Sequence, residues 1–177
     1  MNERIEIRLG GSGGQGLILA GIILAEAAIL DGKNAVQSQS YGPEARGGAS
    51  RSEVIISNAS IDYPKVYKPD VFLALTEEAM NKYKNDLKEN GLLIIDASMK
   101  KPKDSYKILS VPILKTAQEK IGKVIVANIV ALGTLTQVTE VVSKESIEKA
   151  VLDRVPQGTE ELNKMALYKG FELGKSK

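Results

Sequence analysis

The 177-residue chain contains no cysteine, no histidine and no tryptophan. Without cysteine it forms no disulfide, offers no thiolate nucleophile, and ligates no zinc finger or iron–sulfur cluster through its own side chains. Without histidine it has no Ser-His-Asp triad, no imidazole base and no histidine metal site. Any chemistry it joins must use carboxylates, Lys, Tyr, hydroxyls, backbone amides or groups borrowed from elsewhere. The missing cysteines fit a reducing cytoplasm, the expected location.

An excess of one charge is also lacking. Lys plus Arg number 24 against 22 Asp plus Glu, a net +2 that argues against a dedicated nucleic-acid binder. Apolar residues make up 43% and charged residues 26%, the proportions of an ordinary globular protein. One domain, residues 1–177, is therefore expected, with enough chain to bury a proper core. Long apolar runs are missing too. The most apolar stretch, Leu17 to Leu30, contains Glu26 and is too short and too charged to span a bilayer. Met1-Asn2-Glu3-Arg4 leads into alternating residues rather than a secretory signal. A soluble protein with no membrane partner is expected.

What is present begins with a strand. Ile5, Ile7 and Leu9 alternate with Arg4, Glu6 and Arg8. Gly10 to Gly16 follows, with five glycines in seven residues. Leu17 to about Asp31 is a helix, apolar almost all round and so buried, and Asn34 to Gln39 is a second strand. The first forty residues thus read as one βαβ unit. Tyr41 to Arg51 is a loop by its Gly and Pro content. Strands are expected at Ser52–Ser57, Asp70–Leu75, Leu92–Asp96 and Tyr106–Val111. Thr76 caps a helix that Asn90-Gly91 ends, and a further helix covers about Leu114 to Ile121. The last third is helical: Val126–Val141, a helix capped by Ser143 that stops before Pro156, and one from Thr159 to about Leu173. Lys100 to Lys107 reads as a solvated basic loop. The fold class is α/β, a Rossmann-like three-layer sandwich with a largely parallel central sheet and a helical C-terminal third.

Gly11-x-Gly13-x-x-Gly16 has the spacing of a dinucleotide-binding turn and stands between a strand and a helix. Glycine permits a tight turn and close approach of a ligand to backbone amides, and the helix dipole favours a negative group there. The turn is a cradle for phosphate, pyrophosphate or carboxylate. Against a nicotinamide ligand, Val36-Gln37-Ser38-Gln39 stands where a ribose-binding acid belongs, and the first Arg able to meet a 2′-phosphate is Arg46. An ATP-type loop fails for want of Gly-Lys-Ser or Gly-Lys-Thr. The first strand is also polar on one face, unlike a central strand covered on both sides. That polar face fits cover by another subunit. A turn that only permits strand–helix packing is the alternative.

The chain holds five Arg against 19 Lys, yet Arg46 and Arg51 lie within a stretch of six residues around Gly47-Gly48. Arg presents a planar fork to carboxylate or phosphate that Lys does not copy. Ligand or partner contact and loop scaffolding stand as equal alternatives. The loop's place after the second strand sets it near the glycine turn, at the strand carboxyl ends. Asp96, at a strand end, reads as a helix-cap or turn residue, and no carboxylate pair stands out as an acid/base couple.

Gly10–Gly16 followed by Ser40-Tyr41-Gly42-Pro43-Glu44-Ala45-Arg46-Gly47-Gly48 strongly resembles the gamma subunit, or gamma domain, of the 2-oxoacid:ferredoxin oxidoreductases. The resemblance covers essentially the whole chain and is strongest to the small subunit of the 2-oxoglutarate enzymes. It implies membership of a complex that decarboxylates a 2-oxoacid on thiamine diphosphate, reduces ferredoxin through iron–sulfur clusters, and passes the acyl group to coenzyme A. The chain has neither a Gly-Asp-Gly thiamine diphosphate motif nor a cysteine. The clusters, thiamine diphosphate and Mg are therefore implied to sit in alpha and beta subunits, with a delta subunit left open. This chain is expected to be inactive alone, with no catalytic and no metal-ligating residue of its own. The resemblance places coenzyme A's phosphates, or a subunit contact, at Gly11, Ser12, Gly13, Gly14, Gln15, Gly16, Arg46, Gly47 and Gly48. A stand-alone dinucleotide-binding oxidoreductase domain and a purely structural assembly subunit are the competing expectations.

Overall fold

The alternation at Ile5, Ile7 and Leu9 produces the expected first strand, β1 (Arg4–Ser12), in a computed structural model that describes residues 4–40, 48–103 and 106–175. The strand runs further than expected. Gly10, Gly11 and Ser12 belong to it because β3 (Ala49–Ser57) pairs along its whole length, Ser12 opposite Ala49 and Arg4 opposite Ser57.

Helix α1 (Leu17–Leu30) and strand β2 (Asn34–Gln39) follow as expected. The sheet order is β2-β3-β1-β4-β5-β6, with β4 at Val71–Ala74, β5 at Leu92–Asp96 and β6 at Lys107–Val111. From β1 to β6 the pairing is parallel, whereas β3 runs antiparallel to both β1 and β2. The strand–helix–strand unit therefore exists with β3 lying between its two strands. A connection as short as 40–48 joins antiparallel neighbours readily, so β2 and β3 pair directly.

Thr76 caps α2 (Glu77–Tyr83), its side chain accepting from Ala79 N–H, as expected. The helix does not reach Asn90-Gly91. It tightens into a single turn at Lys84–Asp86, after which Leu87 takes an extended backbone. Leu87 is thereby 5% exposed within the apolar cluster beneath Phe72, Met80 and Leu93. Burial of that side chain outweighs continuation of the helix.

A short helix α3 (Ile113–Lys115) continues as a π-helix over Thr116–Ile121, and α4 (Ala127–Thr139), α5 (Lys144–Arg154) and α6 (Glu160–Lys175) complete the chain. Ser143 caps α5 by accepting from Ser146 N–H at 3.1 Å. The main core joins α1, α4, α5 and α6 to one face of the sheet, and α2 covers the other with a second cluster, giving three layers. Lys100, Lys101 and Lys103 are exposed, in keeping with a solvated basic segment. Among the described residues no helix is long and apolar enough to cross a membrane.

Candidate functional site at the glycine turn

Two glycines make the turn between β1 and α1. Gly14 (φ +85°) and Gly16 (φ +73°) hold left-handed backbone that other residues rarely adopt. Gln15 fastens it: its side-chain oxygen accepts Ser12 N–H at 2.8 Å, and its own N–H donates to Ser12 O at 3.3 Å.

Packing accounts for the outer glycines of the motif. A Cβ at Gly11 would lie 2.2 Å from Gln15 Oε1 and 2.8 Å from Leu17 Cδ1. One at Gly16 would lie 2.5 Å from Asn128 Nδ2, which donates to Gly16 O at 3.1 Å. Asn128, buried at the start of α4, thus ties the head of α1 to the C-terminal helices. Its only signal in the sequence is a polar residue inside the apolar run 126–141. Gly13 and Gly14 are different, because both are exposed at the tip. A Cβ at Gly14 would meet nothing within 4 Å, so its backbone faces open space.

The turn borders a cavity of about 470 Å³. Ser12, Gly13, Gly14 and Gly16 form one wall, and the apolar side chains at the head of α1, with Leu17, Ile18 and Ile22, form another. Gly16 offers no side-chain cap to α1, so the amides of its first turn are left for other acceptors. Ser40, Ser50 and Arg51 close the cavity. Those residues flank the second motif. Gly48 (φ +96°) leads into Ala49, which pairs with Ser12, so the two loops do meet at the carboxyl end of β1. Arg46 and Gly47, expected at the site, lie outside the described residues.

On the polar face of β1 this chain itself covers Arg8, where another subunit was expected to do so, while Arg4 stays exposed. Arg8 is 1% exposed. Its Nε donates to Glu53 Oε1 at 2.8 Å and its Nη1 to Asp86 Oδ2 at 2.5 Å. The register explains this, for Glu53 lies directly across from Arg8 on β3. A buried cation is tolerated where such partners surround it. Two residues along β3, the Arg51 guanidinium lies 5.2 Å from the Tyr83 ring centroid. Asp96 is a cap and turn residue as expected, accepting from Ser98 N–H at 2.9 Å and Leu114 N–H at 2.8 Å.

The fold and the turn define a class: an α/β sandwich whose glycine turn borders a cavity at the carboxyl end of its central strand, with Arg51 among the described lining residues. Residues 6–173 match the model of the pyruvate ferredoxin/flavodoxin oxidoreductase family, and the chain belongs to that family. Within it the chain is a gamma-type subunit of a 2-oxoacid:ferredoxin oxidoreductase complex, as the paired loops led us to expect. It is 55% identical to the 2-oxoglutarate synthase subunit KorC of Methanocaldococcus jannaschii, over 97% of this chain and 95% of the relative. The crystal structure of a keto/oxoacid ferredoxin oxidoreductase gamma subunit from Geobacter sulfurreducens is similar at a TM-score of 0.91 and 54% identity, over 98% of both chains. A 2-oxoglutarate:ferredoxin oxidoreductase from Magnetococcus marinus shares the fold at a TM-score of 0.90 and 23% identity, covering all of this chain and 32% of that one.

Proposed function

We propose that the chain is the gamma subunit of a cytoplasmic 2-oxoglutarate:ferredoxin oxidoreductase and that its glycine turn helps to bind coenzyme A and close the active site. One observation carries the coenzyme assignment: the exposed Gly13-Gly14 backbone opens into a cavity whose other walls are the apolar head of α1 and Arg51. Coenzyme A combines phosphates, which suit amides and Arg, with an apolar arm, which suits Leu17, Ile18 and Ile22. When bound, it supplies the thiol that accepts the acyl group. This chain's part is to hold and orient it: the amides of the turn and of the first turn of α1 receive negative charge, and the apolar wall excludes water. The 2-oxoglutarate assignment rests on the KorC relative, and coenzyme A accompanies 2-oxoglutarate and succinyl-CoA in the Magnetococcus marinus structure.

Iron–sulfur clusters do not fit this chain, which has no cysteine to ligate iron. They belong with thiamine diphosphate and Mg in alpha and beta subunits, with a delta subunit as an optional member and ferredoxin meeting the complex rather than this chain. The outward row of α1 supports assembly. Ile29 is 59% and Leu30 45% exposed, Ile18 is exposed near the other end, and Glu26 is the one charged residue of the helix. A helix apolar on all sides is normally buried, so this face suits cover by another subunit. In the Magnetococcus marinus protein the same fold shares its chain with about twice as much further sequence.

Purification of the tagged chain from its native host, with partners identified by mass, is expected to recover thiamine- and cluster-bearing subunits. In that complex Gly14→Val, which strains the left-handed turn, is expected to raise KM for coenzyme A. An isolated chain that binds NAD(P)H and recovers no partner overturns the proposal in favour of a stand-alone dinucleotide domain.

A further inference from the structure

Beside α2, on the same side of the sheet, a polar groove of about 470 Å³ is walled by Arg8, Arg51, Glu53, Lys65, Tyr67 and Asp86. Strand pairing lays its floor. Arg8, Glu53 and Ser38 stand side by side across β1, β3 and β2, and Arg51 lies two residues along β3 from Glu53, on the same face.

The charges in this groove do not balance. Buried Arg8 engages both carboxylates, its Nε donating to Glu53 Oε1 at 2.8 Å and its Nη1 to Asp86 Oδ2 at 2.5 Å. Arg51 Nε stands 3.8 Å from that same Glu53 oxygen, an ion pair beyond hydrogen-bonding reach. One carboxylate oxygen thus serves two guanidinium groups. Among the described residues Arg51 donates no side-chain hydrogen bond, and exposed Lys65 has neither an ion pair nor a hydrogen bond. Three cations face two carboxylates, so the groove favours one more negative group.

Tyr83 holds Arg51 ready for it. The guanidinium lies 5.2 Å from the centroid of that ring, whose hydroxyl donates to Ala49 O at 3.1 Å. A ring contact uses the face of the guanidinium and leaves its in-plane N–H fork to meet a carboxylate in two places. The rim tells what carries the carboxylate. Tyr63 and Tyr67 stack at 5.7 Å between centroids and 14° between planes, yet are 48% and 62% exposed. A free ion in the groove makes no use of these rings, whereas a protein surface does, since Tyr and Arg dominate the energetics of protein contacts.

We infer that this groove receives an Asp or Glu side chain of a partner subunit, with Arg51 and Lys65 gripping its carboxylate and the Tyr63–Tyr67 pair packing against the chain that bears it. This contact is separate from the outward row of α1, which lies on the opposite side of the sheet, and owes nothing to coenzyme A binding at the turn.

The first test treats the assembled complex with a carbodiimide, which joins a lysine amine to a carboxylate only where the two touch. Mass spectrometry is expected to find Lys65 coupled to an Asp or Glu of another subunit. In the second, wild-type and variant chains with different tags are expressed together in the native host and compete for the same partners. Lys65→Glu is expected to be depleted from the complex about fivefold relative to the free pool, and Arg51→Gln at least as much. Arg51→Lys is expected to recover part of the loss, because the charge returns without the fork. Tm of the isolated Lys65→Glu chain is expected to stay at the wild-type value, because the side chain is exposed, so this variant carries the comparison if Arg51→Gln fails to fold. Lys65 coupled to no partner carboxylate overturns the inference. A coupling without depletion of either variant also overturns it, since the carboxylate then lies near without being bound. Calorimetric binding of succinate to the isolated chain, with no partner coupling, makes the groove a small-ligand site and overturns it too.

Discussion

The side-chain oxygen of Gln15 accepts the backbone N–H of Ser12 at 2.8 Å, and with this bond the turn that the glycines open is closed by its own glutamine. A long side chain folded back over three residues occupies a donor at the end of β1 and fixes where the Gly13-Gly14 amides face. Gln15→Ala removes that brace. The isolated chain is expected to lose about 0.5–1.5 kcal/mol, the usual net worth of one hydrogen bond, by thermal unfolding. In the complex KM for coenzyme A is expected to rise severalfold, and Gln15→Glu, which sets a negative charge beside the cavity, is expected to raise it further.

The helical third depends on a backbone contact between α4 and α6. A Cβ at Gly133 would lie 2.2 Å from the carbonyl oxygen of Leu167, and one at Gly170 would lie 2.2 Å from that of Val130. Neither neighbour is a flexible side chain, so the helices themselves must part. Gly133→Ala is expected to destabilise the chain by about 1–3 kcal/mol despite alanine's better helix propensity. A raised Tm in that variant contradicts the close crossing.

Asp31 clamps the end of α1 to the start of α5. Its carboxylate accepts from Ser143 N–H at 2.6 Å, Ser143 Oγ at 2.7 Å and Ser146 Oγ at 2.6 Å. Desolvation pushes its pKa up, but the bonds from Ser146 and Ser143 together outweigh it and hold the group below its ordinary value. A folded-state pKa below the unfolded one stabilises the protein above the unfolded value, and that stability is lost as pH falls through the folded value. Asp31→Ala is expected to cost on the order of 1–3 kcal/mol at neutral pH. The gap from wild type is expected to close below about pH 4, the ordinary carboxyl range, in denaturant titrations across pH. A gap independent of pH contradicts the clamp.

The exposed row on α1 separates folding from assembly. Ile29→Glu changes a side chain that is 59% exposed, so the unfolding free energy of the isolated chain is expected to move by no more than about 0.5 kcal/mol. Recovery of partner subunits with the tagged chain is expected to fall sharply. Full recovery removes this face from the subunit interface.

Local chemistry made much of the molecule legible in advance. Alternation gave β1, Thr76 and Ser143 announced their helices, and the glycine run lay where a strand turns into a helix. The paired loops marked the family, and the missing Cys and His excluded thiolate and imidazole ligation by this chain. These are signals between residues close in sequence, set by backbone geometry and side-chain chemistry alone.

Pairings across long stretches of chain were decided only by the tertiary structure. Insertion of β3 between β1 and β2 set Glu53 opposite Arg8 and so allowed Arg8 to be buried. Leu87 ended α2 early to reach the core, and Asn128 reached Gly16 across 112 residues. Arg51 came to lie beside Glu53 and Tyr83 through strand register and packing, which no local pattern encodes. The sequence determined which elements form and which chemistries are absent; packing determined which charges are buried and which of them pair, since burial and ion pairing depend on neighbours that only the folded sheet brings together.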